Sequence, residues 1–216
     1  MIIPGTDMVY EVLQFHIHTG CENKLNGVGC AADLHVVHKA KSDVTSSASL
    51  PDLAVLDLMI LGVNEYNPSM DSLITSWVEV SCPNQDCFSV APSIKRRPFS
   101  PYNLIPVETS FYNFHGSLTT PPCWEVVNWN VSEKPILVSF RQILGLINLI
   151  DRYKGFRDQN NNCVADQTAA DVAGLTSRNI HPTNGRKVVK NCKPYKVSKN
   201  MPAVKKAGKT KIGIQT

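Results

Sequence analysis

The chain has 216 residues, 43% hydrophobic and 19% charged, ordinary values for one globular domain with a single good core. No apolar run reaches the roughly 18 residues of a membrane-spanning helix; the longest candidate, Leu53 to Val63, carries Asp57 and is strand-sized. The net charge of +4 hides a division, because no acidic residue follows Asp171 whereas Arg178, Arg186 and nine lysines from Lys187 to Lys211 do.

Val9 to His18 predicts a strand with Val9, Glu11, Leu13, Phe15 and Ile17 on one face and Val12, Gln14, His16 and His18 on the other. Gly20 to Gly29 reads as a loop. Ala32 to His38 predicts a second strand, with Leu34, Val36 and His38 opposed to Asp33, His35 and Val37. Lys41 to Pro51 reads as a turn and Leu53 to Val63 as a buried strand. Helical spacing of Met70, Leu73, Ile74, Trp77 and Val78 predicts a helix over Ser69 to Val80, with Asp71 near its start. Ser81 to Pro106 holds five prolines and the Lys95-Arg96-Arg97 cluster, so an irregular segment with a solvated basic loop is expected. Phe111 to Glu125 reads as a Gly/Thr/Pro turn between strands. Trp124 to Val131 and Pro135 to Val138 predict two more strands. Ser139 to Ile150 predicts a short helix capped by Ser139, with Ile143, Leu146, Ile147 and Ile150 on its apolar side. Residues 158–177 read as a loop or insertion. Strands dominate, so the expected fold is mainly β or α+β: a central, twisted, mostly antiparallel sheet with a few short surface helices.

Seven cysteines in such a domain suggest an oxidising compartment. Cys82 and Cys87 flank a turn-like segment, and Cys21 and Cys30 flank a Gly/Asn-rich loop; sequence fixes neither pairing. The odd count leaves at least one cysteine without a partner inside the chain. Met1 to Asp7 has neither the basic nor the apolar region of a signal peptide. The Lys-rich end lacks interleaved aromatics apart from Tyr195, so nucleic-acid binding is not expected. It reads as a solvated tail or, functionally, as an arm for an acidic partner.

The chemistry concentrates in Gln14-Phe15-His16-Ile17-His18-Thr19 and Ala32-Asp33-Leu34-His35. His16 and His18 leave the same face of a strand, and His35 from a neighbouring strand completes a tripod with one coordination position open. Gln14 and Asp33 each precede a candidate ligand by two, where they can accept its second N–H and fix the tautomer. His38 faces the opposite side and is expected in the core or in a structural hydrogen bond. His115 and His181 read as solvated loop histidines.

Gln-Phe-His-Ile-His, then Ala-Asp-Leu-His-Val-Val-His, then Gly116-Ser117-Leu118-Thr119-Thr120-Pro121-Pro122 together resemble the α-class carbonic anhydrases. The likeness runs from about Val9 through Trp129 and resumes at Pro182-Thr183-Asn184-Gly185-Arg186. It implies that His16, His18 and His35 hold Zn²⁺, with Gln14 and Asp33 behind them. It implies that Thr119 accepts a hydrogen bond from zinc-bound hydroxide, that Glu22 takes the Thr119 proton, and that the Thr119 backbone N–H binds an oxygen of bicarbonate or another anion. Thr120 would line the exit, and Val37, Val55, Leu118, Val127 and Trp129 would form an apolar wall for CO₂. That zinc-held water ionises near neutral pH is a known property of this family, not a deduction from this chain.

Departures from the family pattern carry expectations of their own. Only 13 residues precede Gln14, so the early strands and the proton-shuttling histidine are expected to be missing. Residues 1–190 would be a carbonic anhydrase domain lacking its N-terminal section, and 191–216 a lysine-rich tail. Loss of that section would also account for the absent signal peptide of an extracellular protein and leave Cys123 as the orphan thiol. Asp33 stands where the family has Glu, Phe114 where it commonly has Tyr, and Thr19 where it commonly has Trp. The resulting expectation is a zinc lyase that hydrates CO₂ reversibly to bicarbonate and a proton. The alternative is a binding or matrix protein that keeps the scaffold with weak or no catalysis.

Overall fold

The structure is a computed structural model that describes residues 9–41, 52–80, 99–153 and 177–191. Seven strands form one mixed sheet: β1 (Tyr10–Thr19), β2 (Ala32–Ala40), β3 (Leu53–Val63), β4 (Phe111–Gly116), β5 (Val127–Ser132), β6 (Ile136–Ser139) and β7 (Val189–Asn191). Their order is β1-β2-β3-β5-β4-β7, and β6 also pairs with β3. β3 runs parallel to β5 and β6, and every other pairing is antiparallel. Two helices accompany the sheet among the described residues, α1 (Pro68–Val80) and α2 (Phe140–Tyr153). The mainly β class with few helices is thus what the chain adopts.

Alternation decides which side of the sheet does what. Phe15 stands opposite Val36, and Val36 opposite Leu56; Ile17, Leu34 and Leu58 make the next row. Directly opposed residues share a face, so these rows form one apolar surface. Against it pack Met70, Leu73 and Trp77 of α1 and Ile143, Leu146 and Ile150 of α2, all buried. The residues between them, His16, His35, Val37, Val55 and Asp57, therefore face the other way, and that second face carries the site.

The helices are anchored by one side chain. Ser139 accepts the Gln142 N–H on its hydroxyl at 3.2 Å, and Gln142 Oε1 accepts the Ser139 N–H at 3.1 Å, a reciprocal cap of the S-x-x-Q kind. The same Gln142 accepts the Asn67 N–H at 3.0 Å and donates to the Asn67 carbonyl at 2.7 Å, while Asn67 Oδ1 caps α1 through the Met70 N–H at 3.0 Å. The expected Ser139 cap is present, and Leu149 joins the expected buried residues of α2.

Three readings are corrected. First, β1 does not alternate throughout: a bulge at Leu13 shifts the register between Val12 and Gln14. Val12 therefore opposes His38 and lies on the Phe15 side rather than with His16. Second, Phe111–Gly116 is a strand, not a turn. Third, β5 begins at Val127 rather than Trp124, because the Trp124 carbonyl is taken by Leu118 N–H and Val126 N–H in a local turn. The segment expected to be mainly irregular holds one 3-10 turn, Pro101–Leu104, among its described residues. The turn before Pro51, the Lys95-Arg96-Arg97 cluster, Cys82 and Cys87, the loop after residue 157 and most of the lysine-rich tail lie outside the described residues.

His38 takes the structural role expected of it. It is fully buried, with Nδ1 3.2 Å from the Ala54 carbonyl and Nε2 2.6 Å from the Tyr102 hydroxyl. A carbonyl only accepts, so Nδ1 carries the proton and Nε2 accepts from Tyr102. Burial pushes this histidine down to about 4.

Candidate metal centre

β1 and β2 bring the three candidate ligands together. His16 pairs directly with His35 across the ladder, and His18 follows two residues along β1. Their ring centroids lie 4.9 to 5.2 Å apart, and one nitrogen of each falls within 4.8 Å of the others. All three are buried. Three imidazole nitrogens converging at this spacing suit zinc, whose catalytic sites take three protein ligands.

Behind the tripod the two expected partners differ. Gln14 Oε1 sits 2.9 Å from His16 Nδ1, a good acceptor for that ring's N–H. Asp33 Oδ2 lies 3.5 Å from His35 Nε2 and is instead engaged at 2.8 Å by the Glu22 backbone N–H. Burial pushes His16 down to about 2, reinforced by His35 and His18. Burial opposes charge on His35 as well, but the carboxylates of Asp33, Asp57 and Glu22 outweigh it and raise His35 to about 9. A metal binding here at neutral pH must displace that proton.

Glu22 enters from the loop after β1. Its Oε1 accepts the Arg178 backbone N–H at 2.7 Å, and its buried Oε2, without a hydrogen bond, lies 3.8 Å from His18 Nε2 and 3.9 Å from His35 Nδ1. Glu22 and half-buried Thr119 line one cavity of about 970 Å³, together with Phe114, Trp129 and Arg178. No hydrogen bond joins Thr119 to Glu22 among the described residues. Thr120 sits in the following turn, its carbonyl accepting the Cys123 N–H at 2.9 Å. The Pro121–Pro122 peptide is cis.

The apolar residues singled out from the sequence gather in one place: Val37, Val55, Val127 and Trp129 form a buried cluster, with Leu118 and Phe114 against it. Trp129 meets His35 edge-on at 4.9 Å between centroids, so this wall abuts the tripod. Phe114 stacks on Trp129 at 6.5 Å, and the Arg186 guanidinium lies over the Phe114 ring at 5.5 Å. Gly116 is required here by close approach, since a Cβ would lie 2.9 Å from Trp129 Cδ1.

Three participants escaped sequence reasoning. Arg178 holds Glu22 through its backbone, which no side-chain pattern announces. Asn23 donates to Asp57 Oδ2 at 2.7 Å. Asp57, fully buried, stands directly opposite His35 in the ladder, with its pKa raised by burial and by Asp33. A lone acid within Leu53 to Val63 was the available clue. Cys21 and Cys30 form a disulfide across the loop between the ligand strands, and Cys123 is a free thiol. His115 and His181 are exposed, as expected of solvated histidines.

Comparison with known proteins places this arrangement. A family model described as eukaryotic-type carbonic anhydrase matches residues 2–192. Human carbonic anhydrase 12 is 33% identical over 159 residues, covering 68% of this chain and 42% of the relative. Carbonic anhydrase 1 of Monodelphis domestica is 27% identical over 158 residues, covering 68% and 56%. The chain thus spans about half the length of these curated relatives. Among solved structures, carbonic anhydrase Cah3 of Chlamydomonas reinhardtii, in complex with acetazolamide, matches with a TM-score of 0.59 at 29% identity, covering 85% of this chain and 66% of that one. With the matching sheet and the family model spanning nearly all of the sequence, the chain belongs to the eukaryotic-type carbonic anhydrase family.

Proposed function

We propose that this chain is a zinc-dependent carbonate dehydratase that interconverts CO₂ and bicarbonate. The observation that carries the reading is the buried trio His16, His18 and His35 on one face of the sheet, with a dry wall beside it. The donor set fits zinc: three imidazoles, one of them held strongly neutral by burial and another backed by carboxylates. Zinc bound there supplies Lewis acidity that makes water a nucleophile at neutral pH.

The chain's own residues do the rest. Gln14 fixes the His16 tautomer by accepting its Nδ1–H. Val37, Val55, Leu118, Val127 and Trp129 exclude water and hold an uncharged, weakly interacting substrate. Thr119 would accept a hydrogen bond from a water or hydroxide held at the trio and, once its hydroxyl turns to Glu22, would donate to that carboxylate, whose Oε2 has no hydrogen bond while Oε1 serves Arg178. The Thr119 backbone N–H receives an oxygen of the anionic product, and Thr120 borders its exit. The Cys21–Cys30 disulfide supports an extracellular, oxidising location. Residues 1–190 form the catalytic domain in this reading, and the lysine-rich 191–216 segment is a tail suited to an acidic partner.

In this reading the released proton passes to buffer or to another group, such as the exposed His115 and His181 that border the cavity. Stopped-flow CO₂ hydration should be slow and should rise with buffer concentration, and metal analysis should give one zinc per chain. Hydration rates indifferent to buffer would contradict the proton route. One zinc without hydration above background would leave a scaffold that binds metal or anions instead. A His18→Ala protein that retains zinc and full activity would refute the tripod.

A further inference from the structure

We propose that Asp57 is a second positioning carboxylate for the ligand His35, sharing with Asp33 the task of holding the ring's Nε2–H so that Nδ1 faces the metal. The inference rests on the zinc reading above. His35 and Asp57 form a directly opposed pair in the β2–β3 ladder and share the site face. Asp57 Oδ1 lies 3.8 Å from His35 Nε2, and Asp33 Oδ2 lies 3.5 Å from the same nitrogen. Glu22 Oε2 approaches the opposite ring nitrogen, Nδ1, at 3.9 Å. The two sides of the ring are therefore already differentiated: Nδ1 faces Glu22, whose Oε2 also lies against His18, and Nε2 faces a pair of aspartates.

Asp33 alone is poorly placed for the task. Its Oδ2 is drawn to the Glu22 N–H at 2.8 Å, and neither its 3.5 Å nor the 3.8 Å of Asp57 makes a full charge-assisted N–H···O bond, so the ring nitrogen lies between two acceptors rather than on one. Asp57 is oriented from the other side by Asn23, whose amide donates to Oδ2 at 2.7 Å and leaves Oδ1 turned toward His35. Asp33 Oδ1, Asp57 Oδ1 and His35 Nε2 are all buried without a hydrogen bond. A fully buried carboxylate is costly unless it is used, and here its unbonded Oδ1 faces the imidazole that needs an acceptor. Between them, two short acids bracket the ring where one longer acid could reach it directly.

The same three residues also satisfy the spacing of a second cation site, which makes stoichiometry a discriminating measurement. Zinc affinity is read by chelator competition in the full chain carrying Asp57→Asn, Asp57→Leu, Asp33→Asn and the Asp33→Asn/Asp57→Asn pair, and in Leu58→Ala, which disturbs the opposite face of the same strand. Zinc binding should weaken about 10- to 100-fold in Asp57→Leu and less in Asp57→Asn, which keeps an acceptor oxygen. The Asp33 and Asp57 effects should be non-additive, because both act on one N–H. Leu58→Ala should lower thermal stability while leaving zinc affinity unchanged, and the visible spectrum of the cobalt(II)-substituted protein should shift in the Asp57 and Asp33 variants but not in Leu58→Ala. If Asp57→Leu fails to fold, the isosteric Asp57→Asn and the Asn23→Ala variant, which releases Asp57, provide the same comparison. Unchanged affinity and cobalt spectrum in Asp57→Asn and Asn23→Ala would overturn the proposal, as would two zinc ions per wild-type chain with the second lost on Asp57 substitution. A wild-type chain that binds no zinc would instead overturn the functional reading on which this one stands.

Discussion

Replacing Gly116 by alanine sets two opposite effects against each other, and the structure says which wins. Gly116 sits in β4 with ordinary strand geometry, so an alanine there gains about 0.4–1 kcal/mol by restricting the unfolded chain. Against this, the new Cβ would lie 2.9 Å from Trp129 Cδ1 and 3.1 Å from Nε1. Comfortable carbon contacts begin at about 3.5 Å, so the ring must move by roughly half an ångström. It has little room: Phe114 is stacked on it, His35 meets its edge at 4.9 Å, and its Nε1 donates to the Ser117 carbonyl at 3.1 Å. Overpacking of this kind costs about 1–3 kcal/mol, and the net loss should be about 1–2 kcal/mol. For a chain of this size that lowers Tm by about 2–8 °C. Urea and thermal unfolding of the metal-free protein measure it, and zinc competition on the same samples should show weakened binding because Trp129 presses on His35. A variant as stable as wild type or more so, with unchanged zinc affinity, would refute the claim that Trp129 is confined.

Gln142→Ala should cost about 2–3 kcal/mol, since it strips partners from Ser139 N–H and from both backbone groups of Asn67 and loosens two helix starts at once; urea unfolding checks it, and a loss under about 0.5 kcal/mol would contradict the anchoring role. His38 makes stability depend on pH with a defined sign. Its folded pKa, about 4, lies below the ordinary value of 6.5, so its contribution is full above pH 6.5 and drains away as pH falls toward 4. The gap between these two values corresponds to about 3 kcal/mol. Unfolding free energies of wild type and His38→Gln should therefore converge by about that amount between pH 7 and pH 4, and parallel curves would argue against a neutral buried imidazole.

How legible the molecule was in its sequence depended on how local each determinant is. β3 runs from Leu53 to Val63 as its apolar composition, interrupted only by Asp57 and Gly62, predicts, and α2 starts after Ser139 because the capping pattern is four residues long. The tripod was legible for the same reason: His-x-His fixes a shared face without reference to anything distant. β4 was missed because Gly116, Thr119 and the paired prolines dominate its neighbourhood, although Tyr112 and Phe114 alternate as strand residues do. The bulge at Leu13 was invisible, since nothing in a single strand reveals that its partner has one residue fewer. Asp57 and Arg178 depend on which segment lies alongside which. One needs the β2–β3 register and the other a contact across 156 positions of sequence, and neither is encoded by spacing.

The covalent link between Cys21 and Cys30 has a consequence for where such a protein can work. The bond spans the excursion that leaves β1 three residues after His18 and returns two residues before Ala32, and Glu22 and Asn23 ride on it. A reducing milieu would free that excursion and with it the placement of the acid and the amide that lean on His35 and Asp57. In the zinc reading, thiol chemistry and metal retention would both depend on the same ten residues, so the redox state of the surroundings would set how firmly the cation is kept.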